Sequence, residues 1–239
     1  MDDYIDDGDI PYSVIAQVTT LDVYYKKLTI APFNLTNTDD GLDKALDLKG
    51  DQGGSKIDVL SGSNGADTLH GLNMDDNLSG GIGNDTLYGG YGDDNLFGEN
   101  GDDQLFGEQN NDYMDGGAGN DVLSGGVGND NLTGGSGKDS FLFDSALKAN
   151  VDTITDFKPV DDTITLENLI FTKLTTAGVL NADNFVTATA AHDSNDYLIY
   201  NKTTGALSYD ADGSGVGGGV QIAMLGVNLA LTPADFVVI

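Results

Sequence analysis

Between Asp58 and Asp139 an aspartate recurs at every ninth residue, and no other side chains of this 239-residue chain are so regularly placed. The ten are Asp58, Asp67, Asp76, Asp85, Asp94, Asp103, Asp112, Asp121, Asp130 and Asp139. A glycine stands five residues before each, at positions 53, 62, 71, 80, 89, 98, 107, 116, 125 and 134. Clear copies read Gly80-Gly81-Ile82-Gly83-Asn84-Asp85-Thr86-Leu87-Tyr88 and Gly89-Gly90-Tyr91-Gly92-Asp93-Asp94-Asn95-Leu96-Phe97. One carboxylate per turn, set among glycines that can aim backbone carbonyls inward, suits a hard dication. Ca²⁺ takes six to eight oxygens, carboxylate and carbonyl mixed, at roughly 2.3–2.6 Å.

The elements that would position these carboxylates follow from the same nine residues. Positions 1 to 6 must turn tightly, and glycine reaches the φ > 0 conformations such a turn needs without steric cost. Positions 7 to 9 read as a short strand. Position 8, which is Leu in eight copies, Met114 in one and Phe141 in the last, points inward because strand side chains alternate faces. A single turn and strand cannot bury that side chain, but stacked copies can. The unbroken phase from Gly53 to Leu142 therefore predicts a stacked β-solenoid.

These nonapeptides resemble those of the RTX family, whose parallel β-helix, the β-roll, binds calcium. The resemblance implies that two repeats make one coil, so ten make five coils. Repeats n and n+2 then stack 18 residues apart and share an ion. It pairs Asp58/Asp76, Asp67/Asp85, Asp76/Asp94, Asp85/Asp103, Asp94/Asp112, Asp103/Asp121, Asp112/Asp130 and Asp121/Asp139, giving up to eight calcium sites. The other donors it implies are turn carbonyls, at Gly81, Gly83, Gly90, Gly92, Gly98, Asn100, Gly101, Gly107, Gly116, Gly117, Ala118, Gly119, Gly125, Gly126, Val127, Gly128, Gly134 and Ser136. Position 4 is Gly in seven copies but Lys56, Met74 and Asn110 in the others. Asn tolerates the left-handed region, whereas Lys and Met occupy it at a cost. The Asp58/Asp76 and Asp76/Asp94 gaps are accordingly expected to be the weakest.

Charge points the same way. Residues 53–142 carry 16 acidic side chains against Lys56 and Lys138, a net of −14, which eight Ca²⁺ would nearly neutralise. Without them the stacked carboxylates repel, and one layer of leucines offers little burial in return. The roll is expected to be largely disordered without calcium and ordered with it. The whole chain, at −29, is a poor ligand for nucleic acid phosphates or an anionic membrane. It has no Cys, hence no disulfide framework or thiolate metal site, a composition common among proteins that pass unfolded through a bacterial export channel. No apolar run approaches the ~20 residues of a membrane span.

The expected fold class is all-β in three parts. Residues 1–50 form a cap or the remnant of an upstream β-sandwich, 51–143 the β-roll, and 144–239 a mostly antiparallel sandwich or capping domain. In the first part Tyr12–Thr19 and Lys27–Ala31 are strand candidates around an Asn37–Gly41 turn. Asp22-Val23-Tyr24-Tyr25-Lys26-Lys27-Leu28 and Asn37-Thr38-Asp39-Asp40 resemble the close of a Calx-β-like extracellular domain. On the roll's outer face Tyr88, Phe97 and Phe106 occupy position 9, with His70 a surface residue there. They form either a sugar-stacking or partner patch or, as we expect, cross-strand pairs. In the last part Val151–Phe157, Thr163–Leu166, Asn184–Ala188, Tyr197–Asn201, Ala206–Tyr209, Val220–Leu225 and Phe236–Ile239 read as strands. Thr232-Pro233 opens a helical turn. Asp210-Ala211-Asp212-Gly213-Ser214-Gly215 is not an EF-hand, because its twelfth position is Gln221 and strands flank it.

Val151–Phe157, Asp161–Ile164 and Tyr209–Gly215 resemble the domain that follows the roll in serralysin-type secreted proteins. Asp235-Phe236-Val237-Val238-Ile239 resembles the uncleaved signal for type I export that ends those chains. No catalytic constellation accompanies them. His70 and His192 are the only histidines and neither lies in His-Glu-x-x-His, while Gly-x-Ser-x-Gly and a phosphate loop are absent. The expected function is a non-catalytic, calcium-binding RTX module exported by a type I apparatus. It is read as the monomeric tail of an adhesin or surface protein, or else of a secreted hydrolase whose catalytic domain lies elsewhere.

Overall fold

A computed structural model describes residues 34–36, 47–50, 57–147, 150–213 and 218–239. The candidate strands at 12–19 and 27–31, the turn at 37–41, the Calx-β-like motif at 22–28 and Lys56 lie outside them. Twenty strands are present among the described residues. The first twelve are β1 (Asn34–Thr36), β2 (Asp47–Lys49), β3 (Val59–Ser61), β4 (Thr68–Asn73), β5 (Asn77–Ile82), β6 (Thr86–Tyr91), β7 (Asn95–Asn100), β8 (Gln104–Gln109), β9 (Tyr113–Ala118), β10 (Val122–Val127), β11 (Asn131–Ser136) and β12 (Ser140–Phe143). The rest are β13 (Asp152–Ile154), β14 (Thr163–Leu166), β15 (Gly178–Val179), β16 (Phe185–Thr187), β17 (Leu198–Asn201), β18 (Ala206–Tyr209), β19 (Val220–Met224) and β20 (Phe236–Val238).

The chain winds as a parallel β-solenoid. Odd-numbered repeat strands β3, β5, β7, β9 and β11 lie side by side in one sheet, and β4, β6, β8, β10 and β12 in the other. Register is 18 residues per coil. Leu60, Leu78, Leu96, Met114 and Leu132 stack in one sheet, and Leu69, Leu87, Leu105, Leu123 and Phe141 in the other. All ten are at most 1% exposed. Alternation puts position 8 inside and positions 7 and 9 outside, so each coil adds two fully buried side chains, worth about 1.5–3 kcal/mol apiece. That sum is small against the backbone entropy of eighteen ordered residues.

On the outer face the rings of His70 and Tyr88 stack with centroids 4.8 Å apart, and those of Tyr88 and Phe106 5.1 Å apart. The faces thus cover one another along the register, as cross-strand pairs do. Phe97 packs against Tyr113 at 5.8 Å.

The two sheets do not stop where the repeats stop. β13 continues one sheet beside β11, and β14 the other beside β12, adding a sixth coil. β19 and β20 then join those edges in parallel. Antiparallel pairing, expected to dominate the last hundred residues, is confined among the described residues to β17–β18, β18–β19 and β15–β20. The reason is physical: the roll ends in two open parallel edges, and strands that cover them continue their direction. The seven strand segments read from the sequence all form. Phe171, Leu180, Leu198, Tyr200, Leu207, Ile222, Leu231 and Phe236 pack into one cluster with the roll leucines. Two 3₁₀ turns, Ala182–Asn184 and Pro233–Asp235, lead directly into β16 and β20. In the second, Thr232 N–H donates to Asp235 Oδ2 at 2.6 Å.

Candidate metal centre

Each turn is built from backbone that only some residues hold comfortably. Gly81 and Gly83 sit at φ +105° and +137°, and a Cβ on Gly83 would come within 2.0 Å of the Gly65 carbonyl oxygen one coil back. The same left-handed geometry falls on Leu72, Glu99 and Glu108 at position 2 and on Met74 and Asn110 at position 4. The demand at position 2 was not legible from the sequence, where those residues looked like ordinary substitutions.

The turns bring the aspartates together 18 residues apart on the two edges of the roll. The N–H of each donates to Oδ1 of the aspartate one coil on, at 2.7 Å for Asp58 to Asp76, 2.7 Å for Asp85 to Asp103 and 2.8 Å for Asp112 to Asp130. Asp67 to Asp85, Asp76 to Asp94, Asp94 to Asp112, Asp103 to Asp121 and Asp121 to Asp139 repeat the contact. All ten carboxylates are at most 2% exposed. In eight of them, Asp76, Asp85, Asp94, Asp103, Asp112, Asp121, Asp130 and Asp139, the second oxygen Oδ2 is buried with no hydrogen-bond partner. Buried charge without a partner is costly, and repetition at every rung makes it a design of the fold.

Space and donors fit a cation there. A methyl placed on Gly98 would stand 2.4 Å from Asp103 Oδ2 and 2.5 Å from the Gly116 carbonyl oxygen. Gly107, beside Asp112 Oδ2 and the Gly125 carbonyl, repeats this cradle, and Gly116, Gly125 and Gly134 each lie against the Oδ2 of their own repeat's aspartate. Gly90, Gly92, Gly101, Gly117, Gly119, Gly126 and Gly128 all take positive φ. The carbonyls of Asn100, Ala118 and Ser136 already accept N–H groups from Gly83, Gly101 and Gly119, which leaves each one lone pair for an ion. Val127 is the matching third position of its repeat, on the other edge, and is exposed. Among the described residues no three His, Cys, Asp or Glu side chains converge, so backbone carbonyls must complete any shell around two carboxylates.

The family comparison decides what the repeats are. A model of the RTX calcium-binding nonapeptide repeat matches residues 52–87, 70–105 and 106–141. The chain carries RTX calcium-binding repeats. Among solved structures it is similar to the solution structure of the AlgE6R3 subunit from the Azotobacter vinelandii mannuronan C5-epimerase. That match is 28% identical with a TM-score of 0.36, over 70% of this chain and 80% of that one. It is also similar to the crystal structure of extracellular lipase LipA from Serratia marcescens, at 16% identity and TM-score 0.32. There it covers 76% of this chain and 38% of the lipase. No curated protein matches it.

Electrostatics of the RTX roll follow from the bare oxygens. Burial, opposed by the backbone N–H one coil back and reinforced by neighbouring carboxylates, pushes Asp112 up to about 8 and Asp76 to about 7. Asp121 rises to about 7, and Asp85 and Asp94 to about 6, with burial again the largest cause. Asp103, Asp130 and Asp139 are raised in the same way. Ion-free, these carboxyls keep their protons to higher pH than free ones do.

Two further sets of residues belong to the RTX turns and were not singled out in the sequence. Position 5 forms an exposed second ladder, in which Asp93 N–H donates to Asp75 Oδ1 at 2.9 Å and Asn111 N–H to Asp93 Oδ1 at 3.0 Å. Its signal was the run of Asp or Asn at 75, 84, 93, 102, 111, 120 and 129. The inner ladder also continues past the repeats, since Asp130 N–H donates to Asp152 Oδ1 and Asp139 N–H to Asp162 Oδ1, both at 3.2 Å. Phe157-Lys158-Pro159-Val160-Asp161-Asp162-Thr163-Ile164-Thr165 is a degenerate nonapeptide, with Val160 at φ +97° in the place of the fourth glycine.

Proposed function

We propose that this chain is a secreted, non-catalytic module that folds as calcium fills the gaps between its coils. The observation that carries this reading is the row of eight buried, unpartnered Oδ2 atoms along an RTX repeat. In the cytosol, calcium is too scarce to fill extracellular-type sites of roughly 10⁻⁴–10⁻³ M affinity, so the chain stays unfolded until it is outside. Export through a type I apparatus, read from the ending Asp235–Ile239, accords with the folded state. Phe236 and Val238 are buried in β20, so an export machine would have to engage them before folding. Among the described residues no helix is long and apolar enough to cross a membrane. The Calx-β-like resemblance of residues 1–45 favours an adhesin or other surface protein as the setting.

Circular dichroism of the chain as calcium is added tests the central claim. β-structure is expected to appear cooperatively in the millimolar range or below. Spectra that are β-rich from the start and indifferent to calcium would refute calcium-driven folding.

A further inference from the structure

On each edge of the roll the aspartate ladder runs one rung beyond the last repeat, to Asp152 on one side and Asp162 on the other. By the pattern of the preceding coils both junctions should be further calcium gaps. At Asp139/Asp162 the protein's own groups say otherwise. Asp162 Oδ2 accepts the N–H of Lys158 at 2.7 Å, so both of its oxygens are held by protein. Neither Asp152 nor Asp162 shows the buried, partnerless oxygen found in the eight repeat aspartates above.

A cationic group of the protein already stands at the first junction. The ammonium of Lys158 donates to the Gly135 carbonyl oxygen and lies 3.9 Å from Asp156 Oδ2. Its charge favours the ionised forms of both Asp139 and Asp162. Asp156 itself accepts the N–H groups of Gly134 and Gly135 at 3.0 and 2.9 Å, which clamps the last RTX turn to the cap. On the other edge the buried carboxamide of Asn150 does the work of a missing coil. Its Oδ1 accepts the Gly128 N–H at 2.7 Å, and its Nδ2 donates to the Gly126 carbonyl at 2.9 Å. Gly126 and Gly135 are both second positions of the final two repeats, and each has its carbonyl taken by a side chain of the cap.

We propose that the Lys158 ammonium stands in place of an ion at the Asp139/Asp162 rung and ends the calcium ladder on that edge. That junction then takes no calcium, whereas at the Asp130/Asp152 rung Asn150 offers an oxygen in the place of a third-position carbonyl. This rests on the calcium reading of the repeats, which supplies the gap that Lys158 closes.

Calcium stoichiometry by titration calorimetry, measured on the full chain and on Lys158→Met and Lys158→Arg, tests it. Methionine keeps most of the stem and deletes the charge, so it should bind one ion more than the parent, while arginine should bind the same number. Unchanged stoichiometry in a folded Lys158→Met would overturn the proposal. Should that variant fail to fold, anomalous diffraction from terbium-soaked crystals of the unaltered chain decides. Peaks in the repeat gaps with none at Asp139/Asp162 support it, and a peak at that junction overturns it. No calcium bound anywhere would instead strike down the calcium reading, a result that the titration of the unaltered chain reports separately.

Discussion

Each of the eight inner aspartates from Asp76 to Asp139 has two oxygens with opposite fates. Oδ1 is occupied by a backbone N–H and fixes the coil spacing, while Oδ2 is bare and waits for a proton or an ion. In the ion-free roll Asp112 titrates at about 8 and Asp76 and Asp121 at about 7, against roughly 3.9 in an unfolded chain. Between those values the folded roll holds more protons than the unfolded chain. Its stability is therefore greatest at the acid end of the window and is lost as pH rises through the folded values. Calcium must displace those protons, so apparent affinity should fall as the buffer is taken from about pH 8 to about pH 5. Titration in unbuffered solution should also register proton release, and a pH-independent affinity without it would contradict the account. Asp103 serves the Asp85/Asp103 and Asp103/Asp121 gaps. Asp103→Asn keeps its hydrogen-bond acceptor but loses charge in both, and should lower calcium stoichiometry by as many as two ions.

At the scale of the coil, turn and strand make separate contributions. The strand supplies one buried leucine, and Leu96→Ala, at the fully buried centre of its sheet, should destabilise the calcium-loaded roll by about 2–5 kcal/mol in chemical denaturation. The turn demands left-handed backbone, which Met74 adopts at φ +83°. That strain costs about 1–2 kcal/mol in a non-glycine residue, partly offset by the chain entropy a glycine loses. Met74→Gly is therefore expected to stabilise the loaded roll by about 0.5–1 kcal/mol. It should tighten the weak gaps around Asp76, seen as a lower calcium midpoint; a higher midpoint would show that the turn is not strained there.

Across the whole molecule, charge and burial are divided unequally. The repeats concentrate a net −14 around a core two side chains wide, whereas the cap buries a broader set including Phe171, Tyr200 and Phe236. Tyr200 Oη donates to the Gly226 carbonyl at 2.6 Å and accepts the Leu229 N–H at 3.0 Å, tying down the cap loops without any metal. Chelation with excess EDTA should therefore be felt first in the roll. Hydrogen exchange after chelation is expected to show amides of β5 to β10 losing protection before those of β17 to β19; simultaneous loss would mean one cooperative unit.

Nine-residue periodicity was enough to read the solenoid and the inward leucines, because each repeat meets only its neighbours and local pattern becomes global structure; the pairing of aspartates 18 apart came from the resemblance to RTX repeats. What it could not reveal was decided where the period breaks. Asp152 and Asp162 follow their predecessors by 22 and 23 residues instead of 18, so spacing hides them, and only the stacking of β13 and β14 on the roll brings them into line. Direction of pairing in the cap was likewise invisible in the strands themselves. Alternating apolar residues form a strand of either sense, and the parallel edges left open by β11 and β12 choose between them.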